Sequence, residues 1–184
     1  MAVPLGAASG MCRWFCLFNP NRMEVRPEIF TIGHSTHPIE RFIELAGQHA
    51  IEGIADVRRR PASRRHPQFN SRALEASLDE VGIAYVALGD ELGGLRRPRT
   101  EGPVSSLRGA LVAYAEHMHT DEFAGGLRRL EDLAHERRTA VMCAEGDWRN
   151  CHRQLIAEAL LTRGWDVLHV ATDGRIEPHP TSLT

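Results

Sequence analysis

The sequence predicts a single α/β domain in which helices cover both faces of a mostly parallel β-sheet, in a three-layer, Rossmann-like arrangement. Short apolar runs of strand length alternate with segments whose apolar residues recur at helical spacing. Strands that are separated by helices, rather than by short turns, are typical of parallel sheets with both faces covered. A length of 184 residues is sufficient for one such domain and its core.

Five segments have the composition of buried strands. They are residues 29–32, 51–57, 83–88, 139–142 and 167–170. Gly33 interrupts the chain after the first strand. Gly82 and Gly164 end the helices that precede the third and fifth strands, as glycine commonly does. These strands define a domain that spans residues 28–172.

Five helices are predicted between and beside these strands. Their expected starts lie at or next to Pro38, Asn70 or Ser71, Leu107, Thr120 and Cys151. Pro38 suits the first turn of a helix, because proline lacks the amide proton that would be unpaired there. Thr120 is expected to cap its helix, and Asp121 and Glu122 favour the positive end of the helix dipole.

The remaining segments are predicted to be irregular. Residues 58–68 contain five Arg and two Pro, which indicates an exposed loop, and residues 89–106 form a long loop of functional type. Residues 1–27 are interpreted as an appended N-terminal extension. Residues 173–184 are polar and are predicted to form a loose C-terminal tail.

The composition excludes some function classes. All 22 basic residues other than histidine are Arg, so Schiff-base chemistry and a P-loop lysine are excluded. A net charge of −2 predicts affinity for neither nucleic acid nor a membrane surface. The apolar patch at residues 14–18 is too short to span a bilayer, and no secretion signal is visible, so we expect a cytoplasmic protein with free thiols and no membrane partner.

The segment 143–153 concentrates more reactive side chains than any other part of the sequence. It contains two thiols, an imidazole, two carboxylates and two guanidinium groups. It also joins a predicted buried strand to a predicted helix, which is the position where α/β proteins bind ligands.

Parallel strands would bring further polar side chains to the same place, because their carboxyl ends share one edge of the sheet. The residues that follow the strands are His34, Ser35, Asp56, Arg58, Asp90, Glu91, Cys143 and Glu145. This edge is therefore the predicted functional site.

The same positions carry a family resemblance. The motifs are Gly33-His34-Ser35, Asp56-Val57-Arg58 with Pro61, Ser63 and Arg64, Phe69-Asn70, Leu92-Gly93-Gly94, and Cys143-Ala144-Glu145 with Cys151-His152-Arg153. In this combination and order the sequence resembles the bacterial domain-of-unknown-function family 488 over residues 29–170. The resemblance implies that these residues are the candidates for a functional site, but it does not imply any particular reaction. The stretch between Arg96 and Leu107 departs from the family, since it lacks a Trp-rich segment that many relatives carry.

Two interpretations of the Cys143 segment are disfavoured by its own residues. Cys143 and Arg149 have the spacing of a phosphatase loop, but Glu145 and Asp147 would place two carboxylates in a cradle for a dianion, at a cost on the order of 1 kcal/mol or more.

A zinc site is the second disfavoured interpretation. Cys143, Cys151 and His152 would supply three suitable ligands. However, the seven residues between the cysteines are an uncommon spacing for zinc, and adjacent Cys and His ligands are sterically awkward. The sequence therefore assigns no metal ligands, and a metal site stays a minority alternative.

Thiol chemistry is the third interpretation. Cys151 is expected in or just before the first turn of a helix, with Asn150 as its cap. The helix dipole and a neighbouring Arg149 or Arg153 would stabilise a thiolate there. His152 either takes part in this chemistry or faces the core and binds a backbone carbonyl, and both hypotheses stay open.

Anion binding is predicted on the opposite side of the edge. Asp56 is expected to pair with Arg58 and fix the loop, so that its other arginines can contact phosphates through bidentate hydrogen bonds, namely Arg59, Arg60, Arg64 and Arg65. Near Ser35, the free backbone amides at the start of a helix can also bind an anion.

We therefore predict an enzyme that acts on an anionic substrate, such as a phosphate-bearing small molecule, a nucleotide or a nucleic acid. The predicted catalytic residues are Cys143, Glu145, Cys151 and His152. The predicted substrate-binding residues are His34, Ser35, Asp56, Arg58, Arg60, Arg64 and Arg153. The alternative is a non-catalytic module that binds nucleic acid or a partner protein through the arginine loop, with a structural Cys143 turn. The sequence specifies neither a cofactor nor an oligomeric state.

Overall fold

The computed structural model describes residues 26–96 and 107–181. Its strands are β1 (Glu28–Gly33), β2 (Gly53–Asp56), β3 (Ala84–Ala87), β4 (Thr139–Cys143), β5 (Asp166–Val170) and β6 (Ile176–Pro178). They form one sheet in the order β3-β2-β4-β1-β5-β6. The first five strands run parallel to their neighbours, and only β6 is antiparallel. The predicted mostly parallel sheet is confirmed.

The helices are α1 (Ile39–Gln48), α2 (Ser71–Asp79), α3 (Gly89–Leu92), α4 (Leu107–His117), α5 (Asp121–Glu136) and α6 (Arg153–Thr162). Two 3-10 helices, Pro67–Phe69 and Trp148–Asn150, lie in the connections. Thr120 caps α5, as predicted, because its hydroxyl accepts a hydrogen bond from the Phe123 amide at 3.2 Å. In the part of the chain that the structure describes, every helix is too short or too polar to cross a bilayer.

Two hydrophobic cores lie on opposite faces of the sheet. The alternation of side chains along β1 sends Phe30 and Ile32 to the core beneath α1 and α2, and Ile29 to the core beneath α3, α4, α5 and α6. Helices on both faces of a central sheet make the three layers that the sequence predicts.

The structure differs from the sequence predictions in two irregular segments. The tail that was expected to be loose contains β6, which pairs with β5 through a tight turn at Gly174 (φ 93°) and buries His179. A three-residue strand is too short for a hydrophobic pattern to reveal it. The predicted loop at residues 89–106 begins with α3, while its residues 97–106 lie outside the described part, as do residues 1–25 of the predicted extension.

The order of the strands creates a crevice at the carboxyl end of β4. The helices after β1 and β2 cover one face, whereas α6, which follows β4, covers the other. Because β4 lies between β1 and β2, the chain segments that leave these strands diverge there. Such a switch point is where open α/β sheets bind ligands.

The backbones of β1 and β4 stay paired beyond the ends of both strands. The His34 amide donates to the Cys143 carbonyl at 3.0 Å, and the Ser35 amide donates to the Ala144 carbonyl at 2.9 Å. Gly33 makes this approach sterically feasible, because a Cβ atom there would lie 1.9 Å from the carbonyl oxygen of Glu145.

Replacing Gly33 by Ala should therefore lower the free energy of unfolding by about 1–3 kcal/mol, since the Glu145 backbone must move to admit the methyl group. Gly47→Ala is the matched control, because Gly47 lies on the exposed side of α1 and a Cβ atom there meets nothing within 4 Å. That substitution should leave the protein as stable or up to about 1 kcal/mol more stable. Urea denaturation measures both, and equal stability of the two variants would contradict the prediction.

Candidate functional site

A crevice of about 250 Å³ opens at the carboxyl edge of the sheet beside β4. On one side lie Arg58, Arg59 and Arg60, which we call the arginine wall. On the other side lie Cys143, Glu145, Cys151 and His152, which we call the thiol wall. The crevice is completed by apolar and small residues, among them Gly94, Leu95, Leu111 and Tyr114. The structure thus brings all four predicted catalytic residues together with two of the predicted anion-binding arginines.

The thiol wall is assembled from two chain segments. Cys143 is the last residue of β4, while Cys151 and His152 stand directly before α6. The two sulfur atoms lie 2.9 Å and 3.3 Å from the same carboxylate oxygen, Oε2 of Glu145. Both thiols are buried and free of disulfide bonding, whereas Glu145 reaches solvent. The carboxylate therefore links the buried thiols to the open crevice.

His152 combines the two roles that the sequence left open. Its Nε2 atom lies 3.2 Å from the carbonyl oxygen of Val57. Because a carbonyl only accepts, Nε2 must carry the proton, and in the neutral ring Nδ1 presents a lone pair. Nδ1 lies 3.6 Å from Cys151 Sγ and 3.9 Å from Cys143 Sγ. The carbonyl bond thus orients the imidazole toward the thiols.

The two thiols differ in acidity. A hydrogen bond from Cys143 lowers the pKa of Cys151, and the nearby His152 and Arg153 lower that pKa further. The same thiol–thiol hydrogen bond raises the pKa of Cys143, as do burial and the charge of Glu145. Cys151 is therefore the first of the pair to ionise, while Cys143 keeps its proton and donates a hydrogen bond to Glu145 Oε2.

The arginine wall contains one anchored guanidinium and two free ones. Arg58 is buried and forms a bidentate ion pair with Asp56, with N···O distances of 2.9 Å and 2.6 Å. The Tyr85 hydroxyl donates to the same carboxylate at 2.8 Å, and burial together with Asp56 raises the pKa of Tyr85. Arg59 and Arg60 are exposed and pair with no carboxylate of the described residues. They supply the uncompensated positive charge of the crevice.

His34 and Ser35 lie beside the crevice rather than in its lining. The His34 ring is buried and stacks on Phe69 with centroids 4.2 Å apart, and burial is the main reason that its pKa falls to about 4. Ser35 has a strained left-handed backbone (φ 49°). Their amides, which the sequence assigned to an anion, instead bond to the carbonyls of Cys143 and Ala144.

Arg153 and Arg64 also lie away from the crevice lining. Arg153 is 1% exposed and runs beneath the thiol wall, where its guanidinium donates to the Glu145 carbonyl and, at 3.5 Å, to the Thr31 hydroxyl. Arg64 is exposed on the loop that follows the arginine wall. Arg153 is therefore a support of the thiol wall rather than a ligand contact.

Several residues of the site were not predicted. Tyr114 lines the crevice with its ring 5.2 Å from His152, and its hydroxyl donates to the Leu92 carbonyl at 2.7 Å. In the sequence it is one apolar position of a helical stripe, so no signal distinguished it. Gly94 allows close packing, since a Cβ atom there would lie 2.9 Å from His152 Nδ1.

Asn150, the predicted cap of the last helix, does not cap α6, whose N-cap residue is His152 and receives no capping hydrogen bond on its side chain. Asn150 lies inside the 3-10 helix Trp148–Asn150, and Asp147 caps that helix by accepting a hydrogen bond from the Arg149 amide at 3.0 Å. Cys151 then adopts an extended conformation before α6 begins at Arg153. The sequence prediction of Asn150 as the cap of this helix is therefore wrong, because the chain makes one more turn before α6 starts.

The family model described as Domain of unknown function DUF488 matches residues 38–160. The chain belongs to this family. The DUF488 match includes both walls of the crevice, while the Gly33-His34-Ser35 turn precedes it. No curated protein and no solved structure matches the chain.

The connection between Cys143 and Cys151 packs through Trp148 against a buried histidine pair, His169 and His179. Trp148 stacks on His169 with ring centroids 4.0 Å apart. The His169 ring nitrogens lie 2.6 Å from the Thr31 hydroxyl and 2.9 Å from His179 Nδ1. Burial, with the charges of His179 and two arginines, lowers the pKa of His169 to about 3.

This lowered pKa makes stability depend on pH. Below about pH 6.5 the unfolded chain takes up a proton at His169, whereas the folded chain takes it up only near pH 3. The free energy of unfolding should therefore fall as the pH drops through this window. His169→Gln should be less stable at pH 7 and should show a smaller fall, while the control His119→Gln, at an exposed histidine, should keep the wild-type slope. Urea denaturation between pH 7 and pH 4 tests this, and an unchanged slope in His169→Gln would contradict it.

Proposed function

We propose that this chain is an enzyme that binds a phosphate-bearing or otherwise anionic substrate in the crevice and acts on it with the thiol wall. One observation carries the proposal: Arg59 and Arg60, which are not paired with a carboxylate of the described residues, line the same crevice as Glu145 and the Cys143–Cys151–His152 group. An anion that neutralised the arginines would lie next to groups that can transfer a proton.

The roles of the arginines follow from their partners. Because Arg58 is bound by Asp56, its charge is compensated within the protein, and it holds the loop in position. Arg59 and Arg60 are free to form charge-assisted hydrogen bonds with an incoming oxyanion. We therefore assign binding to Arg59 and Arg60, and positioning to Asp56 and Arg58.

The thiol wall supplies the reacting groups. Glu145 is at the surface of the crevice and accepts hydrogen bonds from both thiols, so it is the group best placed to take a proton from, or give one to, a bound substrate. A crevice of about 250 Å³ suits a small molecule or the end group of a longer one.

A second candidate function is binding of nucleic acid without catalysis. Arg64 and Arg65 are exposed on the same loop, outside the crevice, and would extend a basic surface along a phosphate backbone. This candidate requires no chemistry from the thiol wall.

The two candidates predict different effects of substitutions at two arginine pairs on the same loop. In the first, Arg59→Gln/Arg60→Gln should weaken binding of pyrophosphate or a nucleoside monophosphate by about 10–100-fold, since a hydrogen bond to a charged group contributes about 1.5–3 kcal/mol. The control, Arg64→Gln/Arg65→Gln, should change this affinity by less than about threefold. Isothermal titration calorimetry at low salt measures both. The second candidate would be favoured if both variants lost affinity equally and if the protein bound a single-stranded oligonucleotide more tightly than pyrophosphate, with an affinity that falls steeply as salt is added.

Catalysis is tested at Glu145. With a panel of phosphate mono- and diesters, Glu145→Gln should lower kcat by about 10²–10⁴-fold while leaving the affinity for inorganic phosphate unchanged, because the amide cannot exchange the proton. Asp147→Asn is the matched control: Asp147 lies on the same turn but outside the crevice lining, and Asn can still cap the 3-10 helix. Full turnover in Glu145→Gln would overturn the enzymatic assignment.

A further inference from the structure

The geometry points to a metal site within the thiol wall: we propose that Cys143 Sγ, Cys151 Sγ and His152 Nδ1 bind one Zn²⁺ ion whose fourth position opens to the crevice. The three ligand atoms lie within 4.8 Å of one another. The inference goes beyond the proposed function and stands independently of it, because a zinc ion can be held here whether or not the crevice is catalytic.

The distances between the ligand atoms match those of a tetrahedral zinc site. Zn–S bonds of about 2.3 Å and Zn–N bonds of about 2.0–2.1 Å place a ligating sulfur and nitrogen about 3.5 Å apart. The observed separations of His152 Nδ1 from the two sulfur atoms are 3.6 Å and 3.9 Å. Both sulfur–nitrogen separations are therefore within a few tenths of an ångström of those in a zinc site.

The histidine is already oriented as a ligand. A metal-binding imidazole typically donates its other N–H to a carbonyl or carboxylate, which fixes the ring and the position of the lone pair. His152 Nε2 lies 3.2 Å from the Val57 carbonyl, and Nδ1 is directed toward the sulfur atoms. Neither thiol lies in a disulfide that would remove it as a ligand.

The local backbone removes the objections that the sequence raised. The seven residues between the cysteines contain a 3-10 turn, which returns the chain to the end of β4. Cys151 is extended (φ −133°, ψ 151°) and His152 is helical (φ −60°, ψ −13°). This change of conformation between adjacent residues brings both side chains to the same point.

The charges around the cluster favour bound thiolates. Arg153 is buried beneath it and pairs with no carboxylate of the described residues, so it can balance negative charge on the sulfur atoms. Binding of Zn²⁺ would displace one proton from each thiol, and the ion with two thiolates is neutral. Glu145 Oε2 lies 2.9 Å and 3.3 Å from the two sulfur atoms. Two ligands of one zinc ion are roughly 3.6 Å apart, so the carboxylate oxygen is too close to the sulfur atoms to be a fourth ligand in its present position. We therefore place Glu145 beside the open coordination position.

The test uses the full chain, reduced and stripped of metal, and titrates it with Zn²⁺ against a chromophoric chelator. We expect one equivalent of zinc to bind, and Cys143→Ser, Cys151→Ser and His152→Ala to weaken binding by more than about 100-fold. The matched controls are His119→Gln, at an exposed histidine, and Cys12→Ser/Cys16→Ser, outside the described residues, which should both keep one equivalent. Circular dichroism checks that each variant folds.

X-ray absorption of the wild-type zinc complex gives a readout that needs no variant: two sulfur donors and at least one nitrogen donor are expected. Absence of binding at micromolar zinc, loss of the equivalent in Cys12→Ser/Cys16→Ser, or a coordination shell without sulfur would overturn the proposal. If the protein binds zinc but no anion, only the proposed function is contradicted. If it binds an anion but fails to bind zinc, only the metal site is contradicted.

Discussion

Two backbone hydrogen bonds beyond the ends of β1 and β4 hold the thiol wall in place. They join His34 to Cys143 and Ser35 to Ala144, and they require that the chain at Gly33 pass against the Glu145 carbonyl without a side chain between them. Arg153 donates to that same carbonyl from beneath. The carboxylate of Glu145 is therefore carried on a backbone that is fixed from two directions, and its distances to both thiols follow from this constraint.

The charged residues on the two sides of the crevice have different partners. On one side the pair of Asp56 and Arg58 is internally compensated and serves the fold, while Arg59 and Arg60 leave net positive charge at the opening. On the other side a buried cation, Arg153, lies beneath the thiols. An anion at the opening would thus meet the charges of Arg59 and Arg60, while Arg153 is the cation nearest to a thiolate in the thiol wall.

The sequence predicted the five parallel strands, both helical layers and the edge at which the reactive residues meet, because these depend on hydrophobic periodicity and on the geometry of parallel sheets. It also identified the pair of Asp56 and Arg58, whose residues are close in the chain. It could not show that the backbone amides of His34 and Ser35 donate hydrogen bonds to the segment after β4. Hydrogen bonds between segments that are distant in the chain leave no periodic signal in the sequence. The sequence also could not identify Tyr114 as a residue of the crevice. An aromatic residue on the apolar stripe of a helix gives the same pattern whether it faces a core or a crevice.

The edge strand β6 bears on how copies of this chain behave toward one another. It is three residues long, is antiparallel to β5, carries a charge at Glu177 and ends at Pro178, which has no amide proton to donate. Short, charged and proline-terminated edges resist the addition of a further strand. The segment after β5 thus acts as a terminator of the sheet, and removing it would expose the hydrogen-bonding groups of β5 to self-association.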